Sequence, residues 1–373
     1  MGEKLEHKSL KEMVRHFTPS WFSVIMGTGI LSILLHIFPF QFRGLQTIAL
    51  VVYIMNVVMF CIFLIITIAR YAIWPSIIRL VLEHSNQSLF IGTMPMGLTT
   101  ITNFTILVIR EKYAWGLNLA FVLWIIEYVL TILTVLVVPY FVIVHHNHAL
   151  ETMNGTWLLP IVPCVVASAS GGLLSQYLDQ DRALVVLIIS IITMGMGLLL
   201  SLSVIVIYFY RLIVNKLPPK EVIISSFLPL GPLGQGAYGV IQLGIASKTV
   251  LGDRFIMGLG DVTYSVGFLT ALFLWGYGVW YLVVATFSVG ITTKQGIPFN
   301  MGWWALTFPL GVFTTATLSI GNILNSMFFW VLGAIFTCML VLLWLAVMAK
   351  TLKGIFTGEM FYAPCLSPVI LNS

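Results

Sequence analysis

GTMPMGLTTITNF, residues 92–104, lies inside an apolar run of about 89 to 109. The run has the length of a membrane crossing, yet MPMG at 94–97 puts a proline and a glycine near its middle. Proline removes a backbone donor and kinks a helix, and glycine lets backbones approach closely. In lipid such breaks are tolerated where the freed carbonyls face protein or a water-filled cavity. Outward along the chain the feature returns as GTG (27–29), PIVP (160–163), GPLGQG (231–236) and FPLG (308–311). With Gly27, Pro95, Pro163, Pro232 and Pro309 as markers, the steps are 68, 68, 69 and 77 residues.

Ten apolar stretches can be marked, at approximately 20–38, 47–69, 89–109, 117–144, 157–177, 184–210, 222–246, 262–290, 299–321 and 325–349. The broken motifs fall in the odd-numbered ones. Prolines 95, 160, 163, 229, 232 and 309 sit within odd stretches, whereas Pro139 alone lies in an even one. A repeat of this kind predicts an all-α polytopic membrane protein. Its ten transmembrane helices form five helical hairpins in quasi-fivefold array around a central pore. Residues 19–350 make the transport domain, with an N-terminal segment (1–18) and a C-terminal tail (351–373).

Composition agrees. The chain is 59% hydrophobic and 8% charged over 373 residues, where soluble domains carry about 25% charged residues. Residues 1–18 mix both signs of charge and lack a secretory-signal apolar core, so they read as a retained lead-in. With ten crossings, twelve Lys and Arg fall on the side of the termini and six on the other, which places both termini in the cytosol. The sequons at Asn86 and Asn154 then face the cytosol and that at Asn103 is buried, so none is expected to be glycosylated. Cys61, Cys164 and Cys338 lie in apolar stretches and imply no disulfide framework. His145, His146 and His148 read as a hydrated interfacial cluster rather than a metal site. No cofactor, metal, nucleophile–base pair or nucleic-acid partner is indicated, and the chain is not expected to be an enzyme.

Five kinked helices, one per hairpin, are placed as an inner ring, with the even helices outside against lipid. The other account of any one motif is tight helix packing by small residues. Candidate pore-lining residues are Gly27, Thr28, Gly29, Pro95, Thr99, Asn103, Pro163, Ser168, Gln235 and Thr307. Individual hydroxyls among them can instead bond back to their own helix. Mid-span Lys and Arg are absent and the odd spans hold no carboxylate, which disfavours a cation pathway. A net charge of +5 would draw anions to the mouths, and broken helices can aim positive dipole ends at them. A small anion is the expected solute. Glu127, the one carboxylate deep in a span, lies on the fourth helix. It is either a functional group, as in proton coupling, or a structural or subunit-contact residue.

FTPSWFSVIMGTGILS (17–32), GTMPMGLTTITNF (92–104), TWLLPIVPCVVASASGG (156–172), KLPP with LGPLGQGAYG (216–219, 230–239) and GWWALTFPLG (302–311) resemble the tellurite-resistance/dicarboxylate transporter family. The likeness covers the membrane domain in the same order, and is greatest to the fungal plasma-membrane sulfite efflux pumps. The resemblance implies the five-hairpin fold, odd helices lining a pore, assembly in homo-oligomers (trimers), and a pore plug at the phenylalanine of WWA-x-[TS]-F-P. Phe308 holds that position; ordinary core packing is its other reading. Three functions follow as expectations: export of sulfite or bisulfite across the plasma membrane, proton-linked transport of malate or another C4-dicarboxylate, or a gated anion channel. About eighteen residues before the first span and twenty-three after the last leave little room for phosphorylatable tails, which argues against the channel.

Overall fold

The computed structural model describes residues 9–366; residues 1–8 and 367–373, the outer parts of the expected terminal segments, lie outside it. The described chain is helical throughout, with no strand among the described residues. Its principal helices are α1 (Phe22–His36), α2 (Leu45–Ile73), α3 (Thr93–Phe104), α4 (Gly116–His145), α5 (Val162–Ser175), α6 (Gln180–Asn215), α7 (Leu230–Val250), α8 (Leu259–Thr293), α9 (Trp304–Leu324) and α10 (Met327–Thr357). Among the described residues, eight helical spans are long and apolar enough to cross a membrane. α5, at 14 residues, and α7, diluted by glycine and glutamine, are not among them.

Burial alternates along the chain. In the spans built on α1, α3 and α9, 78–83% of the most apolar window is buried; for α2, α4, α6, α8 and α10 the share is 22–44%. α2 shows the cause. Leu45, Ala49, Tyr53, Asn56 and Phe60 recur at helical spacing and are buried. Ile48, Val51, Ile54, Val58, Ile62 and Ile65 point the other way, exposed. In water that second stripe would drive association; against acyl chains it is the expected surface. The buried helices pack in sequence, α1 on α3, α3 on α5, α5 on α7, α7 on α9, and α9 back on α1. Each also packs against the long helix that follows it, α2, α4, α6, α8 and α10 respectively.

The prolines act differently from a mid-helix kink. Every buried helix is entered through a 3₁₀ turn: Pro19–Trp21, Ser88–Gly92, Gly155–Leu158, Ile223–Phe227 and Met301–Trp303. Pro95, Pro163 and Pro232 then fall in the first turn of the α-helix proper, where the missing N–H had no partner to lose. Pro309 lies deeper inside α9, as Pro139 does inside α4.

The lead-ins are joined to one another. Thr93 Oγ1 donates to Pro19 O (2.9 Å), Gly155 N to Ser225 Oγ (3.3 Å), and Asn300 Nδ2 to Glu221 O (3.0 Å). Beyond α10 the chain turns back beneath them: Phe361 stacks on Trp21 with centroids 5.2 Å apart, and Ala363 N donates to His16 Nδ1 (3.2 Å).

Candidate functional site

All five lead-ins contribute to one cavity of about 530 Å³. Its walls include Ser20, Gln87, Asn154, Ser225 and Asn300, one from each lead-in or its cap, with Glu221, Glu359 and Tyr362 at the rim. Asn154 and Asn300 cap their turns by accepting from Thr156 N (3.0 Å) and Gly302 N (2.8 Å). Five helix N-terminal ends gathered here carry partial positive charge, a setting that attracts anions. Glu221 and Glu359 oppose this at the rim. Lys350 lies across the rings of Phe299 and Trp303, 5.5 and 5.4 Å from their centroids. None of the lining residues was a candidate pore residue in the sequence, where Asn86 and Asn154 stood out only as sequons. A signal existed: TPSW (18–21), NGTW (154–157) and NMGW (300–303) each set a capping residue three before a tryptophan at a lead-in.

Deeper in, most hydroxyls are committed to their own helices. Thr307 donates to Trp304 O (2.8 Å), Thr314 to Leu310 O (2.7 Å) and Thr315 to Gly311 O (3.1 Å). Ser168 donates to Ser190 O on α6, and Thr28 Oγ1 accepts from Trp344 Nε1 (3.0 Å). A hydroxyl whose hydrogen is already donated offers lone pairs, which an anion does not want. Two amides differ. Asn103 on α3 is buried with Oδ1 unpartnered, and Gln235 on α7 is buried with no side-chain hydrogen bond among the described residues. Their N–H groups donate to no partner among the described residues.

Gly27 and Gly29 face neighbouring helices. A Cβ on Gly27 would overlap Thr307 Oγ1 and lie 2.8 Å from the Trp304 ring; one on Gly29 would overlap Thr100 Oγ1 and lie 2.6 Å from Asn56 Nδ2. Both are points of close approach between α1 and its neighbours. Gly231 is the contrast: although buried, its nearest foreign atom to an added Cβ is Pro309 Cγ at 4.0 Å. Open space therefore lies inside the bundle beside Pro309, next in sequence to Phe308, which is only 2% exposed.

Glu127 is 0% exposed and faces α3, with Thr99 Oγ1 2.6 Å from its Oε1. The subunit-contact reading is thereby removed within this chain's own packing. The histidine loop is also less hydrated than its sequence suggested. His146 Nε2 meets Leu82 O (2.8 Å), while His146 Nδ1 and His148 Nε2 are buried without partners. His84 Nδ1 accepts from Asn86 N and Gln87 N (3.2 and 3.3 Å), fixing the entry to α3. Burial, reinforced by the neighbouring His146, holds His84 and His148 below the ordinary histidine range.

Apolar helices buried in alternation, with their lead-ins lining one polar cavity, define a polytopic helical membrane protein. Residues 16–352 match the family described as voltage-dependent anion channel, SLAC1, and the chain belongs to that family. It is 40% identical to a sulfite efflux pump of Arthroderma benhamiae and 41% identical to one of Trichophyton rubrum, in each case over 96% of both chains. It is 26% identical to a malic acid transport protein of Schizosaccharomyces pombe, over 96% of this chain and 83% of that one. The family and these relatives are transporters or channels.

Proposed function

We propose that the chain exports sulfite or bisulfite from the cytosol across the plasma membrane. The conduit runs between α1, α3, α5, α7 and α9, which with their partners make ten crossings as five hairpins in quasi-fivefold array, both termini cytosolic. Anions enter the vestibule of helix N-termini and pass a constriction at Phe308. Beyond the positive dipole ends, the donors they meet are the amides of Asn103 and Gln235. Thr28, Thr99, Ser168 and Thr307 pack the wall through their own bonds, Pro95 and Pro163 set the helix entries, and Gly27 and Gly29 let α1 close on its neighbours. Assembly as a homotrimer follows the family resemblance.

The observation that carries the choice of solute is the 40% identity to proteins named sulfite efflux pumps over nearly the full length of both chains. Inner helices without Lys or Arg, save Lys248 in the last turn of α7, support a singly charged or weakly hydrated anion, since no cation along their middle compensates a bulky dianion. Transport of malate is the second reading, favoured by the relative in Schizosaccharomyces pombe. Purified protein in liposomes, loaded with sulfite and challenged with malate outside, separates them. Sulfite release that malate does not inhibit supports export; malate uptake that sulfite leaves unaffected refutes it.

A further inference from the structure

Thr99 Oγ1 lies 3.0 Å from the carbonyl of Pro95 and 2.6 Å from Glu127 Oε1. A threonine hydroxyl has one hydrogen to give. If it serves Pro95, the shorter contact requires a hydrogen from Glu127. If it serves Glu127, the carboxylate stands as a full charge whose second oxygen, Oε2, is buried without a partner. A buried ion needs a counter-ion, and none faces it. α3 and α5 contain no charged side chain. Tyr128, 3.5 Å from Thr193 Oγ1 of α6, is the other titratable group midway along α4.

The remaining ionisable groups around α4 sit at its ends. At one end are Arg79 paired with Glu83, His84, His145 and His146. At the other are Arg110 paired with Glu111, Lys112, and Arg182 paired with Asp179 beside Asp181. The arrangement that satisfies all of these contacts runs Glu127 O–H to Thr99 Oγ1, and Thr99 O–H to Pro95 O.

We infer that Glu127 is a proton-bearing positioning residue. Its carboxylic acid hydrogen fixes Thr99 and so the first turn of α3, and anion flux depends on that proton being held. Loss of the proton to water reverses Thr99 toward the carboxylate, unlatches Pro95, and leaves a negative charge behind the conduit wall. That charge repels the ion inside, because Coulomb interactions are weakly screened in a dry interior. This inference rests on the reading of α3 as a wall of the conduit.

The test uses the full chain in liposomes as wild type, E127Q and E127L. Sulfite efflux is followed across a pH series with the two sides kept equal. The ratio of wild type to E127Q cancels the changing ionisation of sulfite itself, because glutamine keeps a donor and cannot titrate. The ratio is expected near one at the acid end and to fall about tenfold at the alkaline end, the population change that one lost buried hydrogen bond produces. E127L, without a donor, is expected to be slow at every pH. An infrared carbonyl band of a protonated carboxylic acid, present in wild type and missing in E127Q, reads the proton directly, whatever ion is carried. A flat ratio, E127L as fast as E127Q, or no acid band in wild type overturns the inference. If no chain passes sulfite but the band is present, the assigned solute fails while the proton site stands; the unfolding temperature of wild type, falling with pH relative to E127Q, then tests the latch, and parallel curves would refute it.

Discussion

The buried and the lipid-facing helices solve the same backbone problem with opposite chemistry. α2 and α8 run 29 and 35 residues as unbroken helices, and their outer faces carry Ile, Val, Leu and Phe. Each internal hydrogen bond is made within the helix, so lipid is met by side chains alone. α3 and α5 run 12 and 14 residues, each begun by a 3₁₀ turn and a proline in the first helical turn. Backbone broken in this way could not face acyl chains. The two helices persist because α4 and α6 cover them and because the lead-ins bond to one another. The 3₁₀ turns are thus gathered where polar groups line the cavity. The difference teaches that hydropathy alone ranks these segments wrongly, since the helices at the centre of the bundle are the least apolar.

One substitution made in both regions tests this most severely. Gly29→Ala forces a methyl into Thr100 and toward Asn56, and it disturbs the Asn56 Nδ2 to Thr100 Oγ1 bond (3.3 Å). Overpacking of this kind costs about 1–3 kcal/mol before the hydrogen bond is counted. Gly290→Ala on α8 meets nothing within 4 Å. The first variant is expected to lose most of its monodisperse, heat-resistant protein on size-exclusion chromatography, and the second to match wild type. Equal yields would mean the inner helices are not tightly engaged.

Phe308 comes next in size. As a plug, Phe308→Ala raises anion flux while the bundle stays folded. As an ordinary core residue, its truncation would cost about 3–5 kcal/mol. Liposome flux and unfolding temperature measured together decide between them: faster efflux with a modest loss of stability is expected. A large loss of stability without faster efflux would place the ring in the core.

Asn103→Leu and Gln235→Leu probe the free donors. Removing a hydrogen bond to a charged species costs about 1.5–3 kcal/mol, so each variant is expected to slow sulfite efflux about tenfold or more while leaving yield unaffected. Unchanged flux in both would shift the donors to the lead-ins, with Ser225→Ala and Gln87→Leu as the substitutions to follow.

How much of this could be read in advance depends on which physics leaves a trace in composition. The alternation of buried and exposed helices was legible because Pro95, Pro163, Pro232 and Pro309 recur at near-constant steps in segments of lower hydropathy. The vestibule was not, because its parts are 3₁₀ turns of three to five residues whose lining side chains are common polar types. Reading Pro95, Pro163 and Pro232 as mid-helix kinks failed for the same reason: without the lead-ins, Pro163 seems interior when it is initial. The hydroxyls misled in another way. Thr307 and Ser168 are buried on inner helices, yet their hydrogens are spent on Trp304 O and Ser190 O. Sequence gives the inventory of donors, and only three-dimensional neighbours say which remain unspent. Glu127 was visible as an anomaly, but its partner, Thr99, lies 28 residues away on another helix.

The smallest effect concerns the entry to α3, where an outer loop touches an inner helix. His84 Nδ1 accepts the Asn86 and Gln87 amides, so the fold needs that nitrogen unprotonated. Burial and the nearby His146 lower the His84 pKa in the folded state. A histidine that resists protonation when folded takes up its proton more readily when unfolded, so stability is full above the unfolded value of about 6.5 and declines as pH falls through it. His148, lowered by burial and by the same neighbour, adds to the decline with the same sign. The unfolding temperature is therefore expected to drop between neutral and mildly acid pH, and H84N is expected to flatten the drop, because an asparagine oxygen can accept the amides without titrating. An unchanged slope in H84N would mean that protonation elsewhere governs this window. A slope of opposite sign would mean that the loop gains a counter-ion on acidification, and the outer loop would then stabilise the inner helix by charge rather than by a neutral acceptor.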